Sequence, residues 1–279
     1  MSRNLLLRIG VAVVAIPLAL IVVWRGGWVL ATVLALLGVL GTREVYDFAR
    51  RQGIAPLAGL GYVAAAGIPF ATVWAKDAAV FLGALWLLVV LAWAMVARGP
   101  DRHPLAAVAV TVFGCLYASA LLTFLVPIRY GAHSDAHPVA STALVVLPLA
   151  VTWICDTCAM AAGTLIGGPS LAPVLSPRKT WAGAVGGALG GVAAALAYGP
   201  LILDRVAVHV GWAQLAAIGL VVVATGQVGD VAESLFKREA GLKDSSALIP
   251  GHGGVLDRLD SLYFVLPVSA GLFRWLGLI

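Results

Sequence analysis

The sequence predicts an all-α fold, a polytopic bundle of about nine transmembrane helices with its N-terminus in the cytoplasm. Three observations lead to this fold class. Hydrophobic residues make up 61% of the 279 residues and charged residues 11%, and the mean hydropathy is +1.00, which excludes an ordinary soluble protein. The apolar residues form runs close to the roughly 20 residues that a helix needs to cross a bilayer. Lysine and arginine residues concentrate in alternate connecting segments, as the positive-inside rule requires.

The nine predicted helices are apolar segments separated by short polar connections. They span residues 8–24, 28–42, 55–75, 79–97, 105–126, 140–160, 182–203, 211–230 and 260–278. No small-residue cleavage site follows the first, so it is predicted to be a membrane helix and not a cleaved signal peptide. With a cytoplasmic N-terminus, 13 basic residues fall inside, the outside loops hold only Arg25, Lys76, Arg129 and Arg205, and Arg274 lies near the C-terminal end. The protein is therefore expected in the inner (plasma) membrane, with its polar loops facing the cytoplasm.

Polar chemistry divides the chain into two regions. Residues 1–130 are predicted to be N-terminal transmembrane helices with few polar side chains. Residues 131–279 are predicted to be a C-terminal catalytic membrane region with cytoplasmic loops at 161–181 and 231–259. The net charge of +5 is attributed to membrane topology, and no nucleic-acid partner is expected, because the bases lie in separate short loops and not in one stripe.

Small residues recur in the sixth and seventh predicted helices. Gly183, Gly187 and Gly191 are spaced by four residues, which lets two helix backbones approach closely. This ridge fits packing within the chain and a homodimer interface equally well. Cys155 and Cys158 lie in an apolar helix, and we interpret them as packing residues and not as a redox pair.

Charge is concentrated in a C-terminal polar segment. The 31 residues from Asp230 to Asp260 carry 10 of the 31 charged side chains. If the eighth helix continues past the bilayer, its residues at i, i+3, i+4 and i+7 share one face: Asp230, Glu233, Ser234 and Lys237. The glycines around His252 allow backbone N–H groups to face an anion. Carboxylates suit a hard divalent cation and bases suit phosphate, so the segment predicts a metal-dependent enzyme acting on phosphates at a membrane surface.

A second polar group runs from Asp156 to Gly187. Asp156 lies near the cytoplasmic end of the sixth helix, where an unpaired carboxylate is costly and so indicates a function or a cationic partner. In the following loop, Arg178 and Lys179 could hold a lipid or nucleotide phosphate. An ordinary basic loop beside the membrane would have a similar composition.

The rival class of protein is an ion-coupled transporter that uses Asp156 and Asp230 as its ion site. Transporters place such sites near the bilayer midplane on broken helices, often within inverted repeats. Here the acidic residues lie at one edge of the predicted membrane region, and the two halves of the sequence show no repeat. The pattern therefore favours an enzyme.

The motifs resemble those of the CDP-diacylglycerol synthases, also called phosphatidate cytidylyltransferases. The family pattern S-x-x-K-R, K-D and H-G-G-x-x-D-R-x-D is matched by Ser234 to Arg238, Lys243-Asp244, His252 to Gly254 and Asp257 to Asp260. A second match comprises Asp156-Thr157 and Ser176 to Gly183, with departures at Cys158-Ala159-Met160 and Ala182. Glu44 and Tyr46 match only weakly. The motif resemblance covers residues 150–262.

The resemblance implies that CTP and phosphatidic acid react to give CDP-diacylglycerol and pyrophosphate. Another lipid phosphate as the CTP-dependent substrate is the alternative within the same class. The implied cofactor is Mg²⁺, in a site for two cations to which a monovalent ion such as K⁺ could be added. Its implied ligands are Asp230 and Asp257, with Asp244 and Asp260 near them or in contact with the metal.

The resemblance also assigns the substrate contacts. Lys237, Arg238 and Lys243 would hold the triphosphate, Arg178 and Lys179 the phosphatidate head group, and His252 would donate a hydrogen bond to phosphate. The further implied substrate contacts are Asp156, Ser176, Thr180, Glu233, Ser234, Gly253, Gly254 and Arg258.

Overall fold

A computed structural model describes residues 3–131, 138–248 and 253–279 of the protein. Twelve helices occur in this part of the chain: α1 (Arg3–Arg25), α2 (Gly27–Arg51), α3 (Ala58–Trp74), α4 (Ala79–Ala97), α5 (Pro104–Cys115), α6 (Leu121–Thr123), α7 (Leu125–Arg129), α8 (Pro138–Leu165), α9 (Trp181–Tyr198), α10 (Trp212–Glu239), α11 (Leu256–Leu259) and α12 (Leu262–Trp275). Two strands, β1 (Ser170–Ala172) and β2 (Ser176–Thr180), precede α9. Short 3₁₀ turns lie at Pro100–Arg102 and Asp204–Val206, and π-helical turns at Leu116–Ala120 and Gly199–Leu203.

The predicted helical membrane bundle is confirmed. Within the described residues, six helical stretches are long and apolar enough to cross a membrane: Gly27–Arg51, Ala79–Ala97, Pro100–Arg129, Pro138–Leu165, Trp181–Val206 and Trp212–Glu239. Two shorter apolar stretches are Val13–Arg25 and Ala58–Trp74. Every one of the nine predicted segments falls on helical structure, but the number of membrane crossings and the side of the N-terminus stay predictions.

Several helices end at residues other than those predicted. Helix α2 reaches Arg51 and α10 reaches Glu239, each about nine residues beyond the predicted end. Both carry two basic residues in the last turn, where positive charge interacts favourably with the helix dipole. The predicted helix 260–278 is shorter in the structure, running from Leu262 to Trp275, and the separate short helix α11 precedes it. Between the two helices, the carboxylate of Asp260 accepts a hydrogen bond from the N–H of Ser261 at 2.6 Å. Such local hydrogen bonds compete with helix continuation.

The segment predicted as a loop, residues 161–181, has its own secondary structure. Helix α8 continues to Leu165, and β1 and β2 then form an antiparallel hairpin that pairs Ser170 with Thr180 and Ala172 with Ser176. The hairpin is an exception to the all-α prediction. Thr180 ends β2 and caps α9, because its hydroxyl accepts a hydrogen bond from the N–H of Gly183 at 3.1 Å.

The chain forms two compact units, each built from two stretches of sequence. The first comprises Met1–Val126 with Phe236–Arg258, and the second comprises Pro127–Leu235 with Leu259–Ile279. The boundary in α10 falls between Leu235 and Phe236, so the polar segment after it belongs with the N-terminal helices. The predicted division into residues 1–130 and 131–279 stays a prediction.

The core of the first unit forms around α2. Tyr46 is fully buried, and its hydroxyl donates to the carbonyl of Thr111 at 2.8 Å. A Cβ atom at Gly61 or Gly114 would overlap the Tyr46 ring, so two glycines provide the space for it. Near the π-helical turn, Phe113 and Tyr117 stack at an interplanar angle of 10°. Phe236 meets both rings edge-on, with centroid distances of 5.5 and 5.8 Å.

The second unit packs α9 against α8 through the glycine ridge. A Cβ at Gly183 would lie 2.9 Å from the carbonyl oxygen of Ala159, and one at Gly187 would lie 3.0 Å from that of Cys155. Gly190 similarly makes room for the Cys158 side chain. The ridge and both cysteines are therefore used for packing within the chain. The homodimer stays a prediction. The glycine ridge does not support it, because the ridge packs against α8 of the same chain.

Candidate active site

The predicted polar face of α10 exists, because the helix continues through the motif. Glu233, Ser234 and Lys237 are buried and Asp230 is half-buried, whereas Leu235 is exposed. This difference is what spacings of three and four residues predict for one inward face. The unit boundary follows Leu235, so Asp230 is described within the second unit and Lys237 within the first.

In the first unit, Asp257 lies in a dense set of donors. Its Oδ1 accepts from the ammonium of Lys237 at 2.7 Å. Its Oδ2 accepts from the N–H of Ser245 at 2.7 Å and from the N–H of Gly254 at 2.9 Å. The side chains of Lys237 and Asp257 are only 11% and 6% exposed. They therefore form a buried ion pair.

These contacts keep Asp257 ionised in spite of its burial. Burial by itself would raise the pKa of the carboxyl group, since it disfavours the charged form. Hydrogen bonds from Gly254, Lys237 and Ser245 outweigh burial, so the pKa of Asp257 lies below its ordinary value. A carboxylate in this state can accept hydrogen bonds and bind a cation.

Two glycines of the predicted anion-binding turn bring the backbone close to this carboxylate. Gly253 has a φ angle of +82°, a conformation that favours glycine, and a Cβ there would overlap the Asp257 side chain. A Cβ at Gly254 would overlap Ser245 and Glu44. The N–H of Gly254 therefore faces the protein's own Asp257. His252 lies outside the described residues.

Glu44 contacts the segment that carries Asp257, although it matches the family pattern only weakly. It lies in α2 and is 3% exposed, and four donors from the 245–256 segment point to its carboxylate. An acidic residue in an apolar helix was the available signal. Nothing in the local sequence identifies its partners, because they are some 200 residues away.

In the second unit, Lys179 pairs with Asp230. The hairpin carries Lys179 at the end of β2, and its ammonium forms an ion pair with the Asp230 carboxylate. Their side chains are 28% and 31% exposed, so this pair is more accessible than that of Lys237 and Asp257. Neighbouring residues of a strand point to opposite faces, which separates the exposed Arg178 from Lys179. That both bases hold the phosphatidate head group stays a prediction.

The start of α12 approaches α10 next to Asp230. A Cβ at Gly229 would lie 2.7 Å from the carbonyl oxygen of Asp260 and 3.2 Å from the Cα of Ser261. The chain segments that carry Asp230 and Asp260 are thus in backbone contact within the second unit. Asp156 is exposed on α8.

The remaining predicted residues are more accessible. Arg238 is exposed and donates to the carbonyl of Leu242 at 3.1 Å. Lys243, Asp244 and Arg258 are also exposed, while Ser176 and Thr180 of β2 are half-buried. Among the three bases predicted to hold a triphosphate, Lys237 has a buried acidic partner, Asp257.

The donor groups suit a magnesium ion only in part. Among the described residues, no group of three or more His, Cys, Asp or Glu side chains has the spacing to hold a metal. Mg²⁺ does not require such a cluster, because it usually binds one or two carboxylates together with water and substrate phosphates. The oxygen donors of Asp230 and Asp257 fit that pattern, and each has a lysine as its cationic neighbour.

These features define an integral membrane protein whose buried charges are confined to a few segments. The chain belongs to the cytidylyltransferase family, whose sequence model matches residues 6–276. A phosphatidate cytidylyltransferase from Synechocystis is 32% identical over 290 aligned residues that cover 94% of each chain. A chloroplastic phosphatidate cytidylyltransferase from Arabidopsis thaliana is 30% identical over 87% of this chain and 66% of its own.

A third relative is more similar over a shorter stretch. The phosphatidate cytidylyltransferase of Brucella suis is 49% identical over 125 residues, 45% of this chain. That alignment spans 44% of the Brucella protein, less than half of its length. The Synechocystis alignment, in contrast, runs through nearly all of both proteins.

Proposed function

We propose that the protein is a phosphatidate cytidylyltransferase, which joins CTP and phosphatidic acid to give CDP-diacylglycerol and pyrophosphate. The observation that carries this proposal is the 32% identity over 94% of both chains to a phosphatidate cytidylyltransferase. The names of the relatives favour phosphatidic acid over another lipid phosphate and over transport. The buried, ionised Asp257 and its lysine partner are also consistent with polar catalysis in a membrane protein.

The proposed reaction is a substitution at the α-phosphorus of CTP. A phosphate oxygen of phosphatidic acid forms the new P–O bond, and the bond from the α-phosphorus to the oxygen bridging to the β-phosphate breaks. Its electron pair leaves with pyrophosphate. The attacking phosphate is already ionised at neutral pH, so catalysis depends on positioning and on neutralising charge more than on a general base.

We assign the triphosphate to Lys237, Arg238 and Lys243. Arg238 and Lys243 are exposed and can meet a soluble nucleotide, whereas the ammonium of Lys237 is buried and held by Asp257. The phosphatidate head group is assigned to Lys179, with Ser176 and Thr180 of the same strand near it. Arg178, which is exposed on the same strand, is the second base assigned to this head group.

Two divalent cations, proposed as Mg²⁺, are assigned to the carboxylates of Asp230 and Asp257, with Asp244 and Asp260 as further acidic groups, and a monovalent ion such as K⁺ could be added. When bound, the divalent cations would neutralise phosphate charge and orient the phosphates. The proposed setting is the plasma membrane, with nine crossings and both basic segments in the cytoplasm, where CTP is available. The distribution of lysine and arginine supports this orientation.

An assay with purified protein tests the activity. The protein in detergent is given CTP, Mg²⁺ and phosphatidic acid, and CDP-lipid and pyrophosphate are measured together. We expect the two products in equal amounts and neither without phosphatidic acid. A matched reaction with a polyprenyl phosphate distinguishes the lipid. Product from that lipid alone, or none from either by a folded preparation, would refute the proposal.

A further inference from the structure

The carboxylate of Glu44 accepts four hydrogen bonds. Its Oε1 accepts from the hydroxyl of Ser246 at 2.7 Å and from the N–H of Val255 at 3.0 Å. Its Oε2 accepts from the hydroxyl of Ser245 at 2.9 Å and from the N–H of Leu256 at 2.8 Å. Each carboxylate oxygen therefore serves one hydroxyl and one backbone N–H.

Within the described residues, the carboxylate of Glu44 is bound by hydrogen-bond donors and not by a cation. No basic side chain in the described ranges 13–131, 138–248 and 253–279 forms an ion pair with Glu44. An ionised carboxylate that is 3% exposed is costly unless hydrogen bonds compensate for its lost hydration. All four donors come from residues 245, 246, 255 and 256 of the same unit. The burial of the Glu44 carboxylate and the conformation of these residues therefore depend on each other.

The two backbone donors lie where a helix begins. The first N–H groups of any helix have no partner within that helix, and Val255 and Leu256 are the residues at the start of α11. Glu44 provides their acceptor from a different helix. It therefore fixes the start of the helix that carries Asp257.

Asp257 itself is connected to Glu44 through one hydroxyl group. Ser245 Oγ lies 2.9 Å from Glu44 Oε2 and 2.8 Å from Asp257 Oδ2. The absence of a side chain at Gly254 keeps this arrangement compact, because a Cβ there would overlap both Ser245 and Glu44. A shift of Glu44 would thus move the groups that orient Asp257.

We propose that Glu44 is a positioning residue that holds residues 245–248 and 253–257 in the conformation in which Asp257 and Lys237 act. The proposal rests on the proposed cytidylyltransferase function. Glu44 does not touch substrate in this role. It acts through the backbone of Val255 and Leu256 and through Ser245.

The substitution Glu44→Gln tests the need for two acceptor oxygens. The glutamine amide has one oxygen and one NH₂ group. Whichever way it is rotated, the NH₂ group faces the N–H of either Val255 or Leu256, and a backbone N–H cannot reverse its role as donor. One N–H loses its acceptor while the shape of the side chain is kept. Asp47→Asn, in the same helix but at an exposed position paired with Arg50, is the matched control.

Amide hydrogen exchange of the purified proteins measures the positioning without depending on activity. In Glu44→Gln we expect protection of residues 245–248 and 253–257 to fall about 10- to 100-fold, as loss of an acceptor by a buried donor implies. We also expect kcat to fall by at least about tenfold, with the KM for phosphatidic acid within about twofold of wild type. Asp47→Asn should match the wild type in both measurements.

Each outcome decides the proposal. Wild-type protection in Glu44→Gln would overturn it, as would a loss of protection with unchanged kcat. If Glu44→Gln does not fold, Ser246→Ala replaces it, because it removes one donor and leaves Asp257 untouched. An approximately 2- to 10-fold fall in protection then supports the proposal, and no change overturns it. If wild-type protein makes no CDP-lipid, the proposed function fails, and hydrogen exchange alone decides whether Glu44 orders the segment.

Discussion

Replacement of the two predicted metal ligands should have different effects on stability, although both should stop the reaction. In Asp257→Asn, the amide oxygen can still accept from Ser245 and Gly254 only if its NH₂ group faces the Lys237 ammonium. The buried ammonium of Lys237 then loses the counter-ion that Asp257 provides. Removing one partner of a buried ion pair costs about 3–5 kcal/mol, and the 11% and 6% exposure of these side chains places them in that class.

Asp230→Asn should cost far less. Its pair with Lys179 is 28% and 31% exposed, so water solvates much of the lysine charge that remains. Exposed ion pairs contribute about 0–1 kcal/mol, and we expect a loss of unfolding free energy near the upper end of that range. Turnover should nevertheless fall by roughly 10³-fold or more in both variants, if each carboxylate binds the catalytic cation.

The comparison requires unfolding curves of detergent-solubilised protein in EDTA, so that bound metal does not contribute. CDP-lipid synthesis is measured separately at ordinary Mg²⁺. Adding Lys237→Met to Asp257→Asn should recover part of the lost stability, because it removes the uncompensated charge, without restoring activity. Equal unfolding free energies for Asp230→Asn and Asp257→Asn would refute the buried-pair reasoning. Near-normal synthesis by either would refute its assignment as a metal ligand.

Three further outcomes are expected. Gly254→Ala should lower the unfolding free energy by about 1–3 kcal/mol, since its methyl group overlaps occupied space, and chemical denaturation measures this. Lys179→Ala should mainly raise the KM for phosphatidic acid, and Arg238→Ala should mainly raise the KM for CTP. Each increase should be about 10- to 150-fold, as expected for the loss of a charged phosphate contact. Steady-state kinetics with each substrate varied in turn distinguishes the two effects. Cysteines placed at Val174 and Ala247, in a background without native cysteines, should react with a membrane-impermeant reagent only after permeabilisation of cells.

Each of these three predictions has a control or a result that would contradict it. Gly271→Ala adds a methyl group that has no atom within 4 Å beyond its chain neighbours and its own helix backbone, so it should be nearly neutral. A loss equal to that of Gly254→Ala would contradict the steric argument. If Lys179→Ala weakens CTP and spares phosphatidic acid, the two substrate assignments are exchanged. Labelling of either cysteine in intact cells would contradict the nine-helix topology.

Local periodicity predicted the helical part of the site well. The spacing from Asp230 to Lys237 placed polar groups on one face of a helix, and α10 has that face. Hydropathy likewise located the six helical stretches of the described residues that are long and apolar enough to cross a membrane. Both signals come from residues close together in the chain, and a single sequence contains them completely.

Contacts between distant segments could not be predicted in the same way. The partners of Glu44 are over 200 residues away, so neither spacing nor charge pattern links them. The β1–β2 hairpin was missed because its strands have three and five residues, too few for a clear alternation of polar and apolar positions. The glycines around His252 indicated close approach to an anion, but not that Gly254 would face the carboxylate of Asp257.

The aromatic contact of Phe236 has a consequence for the charged site of the first unit. Consecutive residues project from a helix about 100° apart, so the direction of one side chain fixes that of the next. Phe236 lies edge-on to Phe113 and Tyr117, and this contact sets the rotation of the end of α10 about its axis. Lys237 is thereby directed toward Asp257 by rings that carry no charge. Natural variation at Phe236 should therefore be as restricted as at Lys237, although Phe236 takes no part in the chemistry.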